Sequence, residues 1–189
     1  MLKPFSGKTE APFQYVDPPD PVSEFPQLAE FWQTTEVSGG GFFINDLFQR
    51  KYALDAPGFG HHWVSFYRAD SGEFWPVNYI HAREYGPMIL IGGVMTDGIA
   101  VKKMSEEHRE ALIEAGGFYY VALRTVFAIM ADQCEAFMGY IGDARSHEVS
   151  TAAGFGDTGH PHLVAKFHPA VSSSRQAELL EAAHKLGAF

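Results

Sequence analysis

A chain of 189 residues, 46% apolar and 20% charged, has the length and composition of one soluble globular domain. Its net charge of −9 and pI near 5.4, with no cluster of Lys and Arg, exclude nucleic acid and an anionic membrane surface as partners. One cysteine, Cys134, excludes an internal disulfide, and no apolar run reaches membrane-spanning length, so the cytoplasm is the expected compartment.

Residues 1–21 are rich in proline (Asp17 to Pro21) and read as an N-terminal arm on a single domain spanning 1–189. Phe25, Leu28, Phe31 and Trp32 fall at helical spacing, which predicts a helix over Glu24 to Thr34 with Pro26 in its first turn. Asn45 reads as the cap of a second helix over Asp46 to Ala53. Three strands then follow with short turns between them: His62 to Arg68, Phe74 to Arg83 and Met88 to Val94. They form an antiparallel meander, and the third, apolar on both faces, is central.

After Asp97 the apolar period changes. Ser105 caps a helix that meets Gly116 and Gly117, and a second helix covers Phe118 to Asp132. A strand over Ala136 to Ile141, a helix over Asp143 to Ala153, a strand over His162 to Phe167 and a C-terminal helix within 172–189 complete the chain. Ser173 or Ser174 opens that last helix and Gly187 stops it. Strand–helix–strand units after a meander define an α+β fold with a mixed, mostly antiparallel sheet flanked by helices.

The stretch from Asp143 to Phe155 carries a resemblance. Asp143 follows a strand, Arg145 and Ser146 open a helix of small residues, and Gly154-Phe155 closes it. This resembles GNAT-type N-acetyltransferases, whose acyl-CoA N-acyltransferase-like fold has the same element order over about Trp63 to His168. The resemblance implies acyl-CoA as co-substrate and a small-molecule amine as acceptor. It places Val94, Gly116, Gly117, Asp143 and Arg145 at the coenzyme A contacts. The chain departs from the family at the phosphate loop, where Ile113 and Phe118 replace the usual residues and Glu114 would repel a pyrophosphate. The family's acid tyrosine falls at Ser150.

For proton transfer the sequence offers Asp97 at the end of the central strand, His147 one helical turn before Ser150, and Tyr140 ahead of the turn. Asp97 fits a simple turn as well, and His81 and Glu84 lie on the middle strand of the meander. His147 and Ser150 are expected to face one cleft. Cys134 has no basic neighbour in sequence to activate it. His162 and His168 share a strand face but lie about 20 Å apart, so no metal is expected. The rival reading is a GNAT-like fold without coenzyme A binding, acting as a small-molecule-binding or interaction module. An edge strand or the C-terminal helix could support a homodimer.

Overall fold

The structure is a computed structural model that describes residues 25–189; the arm expected over 1–21 lies outside the described residues. A 3-10 turn (Pro26–Glu30) leads into strand β1 (Trp32–Glu36), helix α1 (Gly41–Tyr52) and the meander β2 (His61–Arg68), β3 (Phe74–Tyr85) and β4 (Met88–Thr96). Two short helices, α2 (Gly98–Val101) and α3 (Glu106–Glu114), precede the long helix α4 (Phe118–Met130). Strand β5 (Ala136–Tyr140), helix α5 (Ala144–Ala153), strands β6 (Gly156–Asp157) and β7 (Leu163–Phe167) and helix α6 (Ser173–Leu186) follow. Among the described residues, seven strands form one sheet in the order β1-β2-β3-β4-β5-β7-β6, antiparallel throughout except for β4 and β5. The fold is the mixed, mostly antiparallel α+β arrangement expected from the sequence.

Local chemistry explains most of these elements. The Ser105 hydroxyl accepts the His108 N–H and the Asp143 carboxylate accepts the Ser146 N–H, so both helix starts are capped by side chains. Gly154 takes a left-handed φ of 116° and ends α5, which turns Phe155 into the core. Helix α4 packs Leu123, Val126, Phe127 and Met130 against Ile80, Ile89, Ile91 and Phe137. On the opposite sheet face α6 covers Met88, Leu90 and Met138 with Leu179 and Ala183. Alternation along β4 and β5 therefore sends successive side chains into two separate cores.

Three expectations need correction. The helix over Glu24 to Thr34 is a short 3-10 turn followed by a strand, since Trp32 to Glu36 pairs antiparallel with Trp63 to Tyr67. Leu28, Phe31 and Trp32 still enter one core, so the apolar pattern marks burial correctly while sheet pairing decides the conformation. The Asn45 helix starts earlier, at Gly41, and Asn45 caps nothing. Its Oδ1 accepts the Ala56 N–H at 2.8 Å and ties down the following loop. The last helix is opened by Ser172, whose hydroxyl accepts the Arg175 N–H at 3.3 Å. No single helix among the described residues is long and apolar enough to cross a membrane.

Candidate functional site

The parallel pair is where the sheet opens. Strands β4 and β5 pair from Met88 with Ala136 to Ile91 with Gly139, and the pairing ends there although β4 runs on to Thr96. On its other side β4 carries a bulge at the same level. Against β3, Tyr79 faces Met95 and His81 faces Gly92, so β4 fits Gly93 and Val94 opposite Ile80 alone. That extra residue makes a bulge, and Gly93 absorbs it at φ 58°, a conformation that a β-branched residue resists. Strand β5 ends one residue further on, at Tyr140, so Gly92 to Val94 have no strand partners on the β5 side. Main-chain groups of Gly92 to Val94 on that side therefore lie outside the strand ladder.

One face of the opening is built by α4 and α5. Val94, Tyr119 and Ile141 all pack against the same core there. The Tyr119 hydroxyl lies 3.0 Å from the Ser150 hydroxyl. Burial pushes the Tyr119 phenol up to about 12, so it stays protonated near neutral pH and can donate. Asp143 caps α5 beside this pair, and hydrogen bonds from Ser146 hold its carboxyl below the usual carboxylate range. Lys51 reaches in from α1, with its Nζ 3.5 Å from the Val94 carbonyl oxygen.

The other face is a chain of rings beneath α1. Tyr52, Phe48 and Tyr79 stand at centroid spacings of 5.6 Å, and His62, His81 and Phe59 continue the series at 5.9, 5.5 and 5.3 Å. The main chain of Phe189 closes the edge of the opening. A Cβ placed on Gly92 would meet the Phe189 carbonyl oxygen at 2.7 Å, so only glycine fits there.

The structure gathers some of the residues singled out in the sequence and disperses others. Val94 lies on β4 at the opening, Ser150 is buried behind it against Tyr119, Asp143 caps α5 just past β5, and Tyr140 stands at the end of β5, its ring 6.2 Å from that of Phe189. Gly116 and Gly117 both take positive φ, and Gly117 begins α4 with no side-chain cap, so the first N–H groups of that helix have no side-chain partner. Arg145 points outward and pairs with Glu148 at 2.7 Å. His147 and Ser150 do not share a cleft. His147 is partly exposed and bonds Asp157 at 2.7 Å, while Ser150 is fully buried; the two lie only about 60° apart around the helix, and the edge of the buried face runs between them.

Asp97 caps α2 by accepting the Ile99 N–H at 2.9 Å and pairs with Arg50 at 2.8 Å. It borders a separate cleft of about 210 Å³ between α1 and β3, lined by Phe43, Leu47 and Trp75. Cys134 is buried and its thiol is pushed up to about 12 by burial, which keeps it a thiol. No group of three or more metal-ligating side chains occurs among the described residues.

Sequence reasoning missed Tyr119 as a site residue. The available signal is the doublet Tyr119-Tyr120 one residue after Gly116-Gly117, which puts two phenols in the first turn of α4.

No family model matches the chain, and no curated protein does. Among solved structures, the crystal structure of Tetrahymena GCN5 is similar at 12% identity and a TM-score of 0.41, over 69% of this chain and 88% of that one. A likeness of this degree says nothing of activity.

Proposed function

We propose that the protein is an N-acyltransferase that moves an acyl group from a coenzyme A thioester to a small amine. The parting of β4 from β5 at the Gly93 bulge carries this reading. The pantetheine arm is an extended chain of amides, and it would pair with the main-chain groups of Gly92 to Val94 that lie outside the strand ladder, displacing Lys51 from the Val94 carbonyl oxygen. The thioester carbonyl then lies between the two faces of the sheet. The amine nitrogen bonds to the carbonyl carbon, the C–S bond breaks, and the departing sulfur needs a proton. Ser150 and Tyr119 supply one, Tyr119 doing from α4 what a tyrosine at position 150 would do from α5. The uncapped start of α4 at Gly117 offers N–H groups to the pyrophosphate, although Glu114 lies close by in sequence.

A second reading, a small-molecule-binding module without coenzyme A, is favoured by the cleft between α1 and β3, which lies apart from the opening. Thermal unfolding separates the two. Acetyl-coenzyme A at a hundredfold excess over its Kd is expected to stabilise the native state by about 2.7 kcal/mol and raise Tm. An unchanged Tm at millimolar thioester would remove the acyltransferase reading and leave the module.

A further inference from the structure

The face of the opening under α1 holds two buried histidines, side by side on paired strands, and their surroundings differ. His62 and His81 are direct partners across β2 and β3. The His62 Nδ1 is committed to the Tyr79 hydroxyl at 2.8 Å, and its ring is roofed by the main chain at Gly40, where a Cβ would come 2.4 Å from Cγ. The His81 Nε2 lies 2.7 Å from the Phe59 carbonyl oxygen. A carbonyl only accepts, so Nε2 carries the proton and Nδ1 keeps the lone pair. No described residue hydrogen-bonds to that Nδ1. His81 also faces Gly92 across the strand pair and packs its Cβ beside Gly93, so it adjoins the bulge beside the opening.

We propose that His81 is the proton acceptor of the acyl transfer, taking a proton at Nδ1 from an amine with an apolar or aromatic body. This rests on the acyltransferase reading above. The amine enters from the face under α1, among Tyr52, Phe48 and Phe59. As its nitrogen bonds to the thioester carbonyl carbon, its proton passes to Nδ1. The C–S bonding pair leaves with sulfur, which takes its proton from the Ser150 and Tyr119 hydroxyls on the opposite face. Acid and base thus lie on the two sides of the sheet with the reacting carbon between them, and the proton from nitrogen balances the proton given to sulfur.

The electrostatic setting agrees. Burial holds the His81 imidazole below its ordinary pKa, and Arg83 and His61 push the same way, while the Phe59 carbonyl opposes them. Burial and His81 together lower His62. The other charged groups nearby are Glu36 and Glu84, both engaged with His61, and α1 presents the uncharged Phe48 together with Lys51, whose ammonium sits on the Val94 carbonyl oxygen and also favours a neutral imidazole. A neutral imidazole near pH 7 is the form that accepts a proton.

Thiol release from acetyl-coenzyme A with 2-phenylethylamine, followed over pH 5 to 9, tests the assignment. In the unaltered protein kcat/KM should fall on the acid side as His81 gains a proton. His81→Gln should lower kcat by roughly 10²-fold and flatten that acid limb. Added imidazole should restore part of the rate to His81→Gly, which opens space beside Gly93. Stabilisation by acetyl-coenzyme A alone should persist in both variants, which shows that the fold and the thioester site survive. A His81→Gln protein that binds thioester and keeps its rate and acid limb overturns the proposal and leaves the acyltransferase reading standing. An unaltered protein that neither binds thioester nor releases thiol overturns both.

Discussion

Replacing Phe127 by alanine is expected to destabilise the protein by about 3–5 kcal/mol, the range for emptying a buried aromatic site. Phe127 is 1% exposed and sits where three elements meet. Its ring lies 4.6 Å from that of Phe137 on β5 and 5.1 Å from that of Phe155, which follows the glycine stop of α5. No neighbouring side chain can refill this space without leaving its own partner, because α4 is held against the sheet along Leu123, Val126 and Met130 as well. Urea unfolding should show a lower midpoint with an unchanged slope. A loss below about 1 kcal/mol would mean that α4 does not pack as described. The consequence reaches function, since α4 carries Tyr119 and fixes its distance to Ser150.

Replacing Gly93 by valine should abolish detectable thioester binding. Gly93 holds the bulge at φ 58°, and a β-branched residue in that region is strained by about 1–3 kcal/mol. The strained strand relieves itself by shifting at the bulge, which moves the main chain of Gly92 to Val94 away from the path of the thioester arm. Gly93 is exposed, so the chain should still fold with a modest loss of Tm. Isothermal titration with acetyl-coenzyme A reads the result, and a Kd within about twofold of the unaltered protein, a difference of roughly 0.4 kcal/mol, would separate binding from the bulge. The contrast with Phe127→Ala is informative. One change removes stability while leaving the outline of the opening intact, and the other displaces the main chain at the opening at little cost in stability.

Much of the architecture is legible in the sequence because it is locally encoded. The meander follows from β-forming segments between turn signals such as Asp70 to Gly72, and the side-chain caps Ser105 and Asp143 stand where their helices begin. Strand β1 is not legible. Its residues Trp32 to Glu36 are strand only because Trp63 to Tyr67 lies alongside, and the helical spacing of Phe25, Leu28 and Phe31 outweighs that in any local reading. The site is less legible still. Tyr119 and Ser150 meet across 31 positions, and helical period marks both only as inward-facing. The lone pair of His81 is set by a carbonyl in the loop at Phe59, 22 positions away. Asp97 shows the converse case. A carboxylate at the end of a central strand looks chemically available, but here it caps α2 and pairs with Arg50.

The central claim is that the gap between β4 and β5 receives a thioester arm. Amide chemical shifts followed during titration with acetyl-coenzyme A test it most directly. Shifts should concentrate at Gly92, Gly93 and Val94 on β4 and at Ile141 and Asp143 beyond β5. Shifts confined to the cleft around Leu47, Trp75 and Asn78, or no shifts at saturating thioester, would contradict the claim.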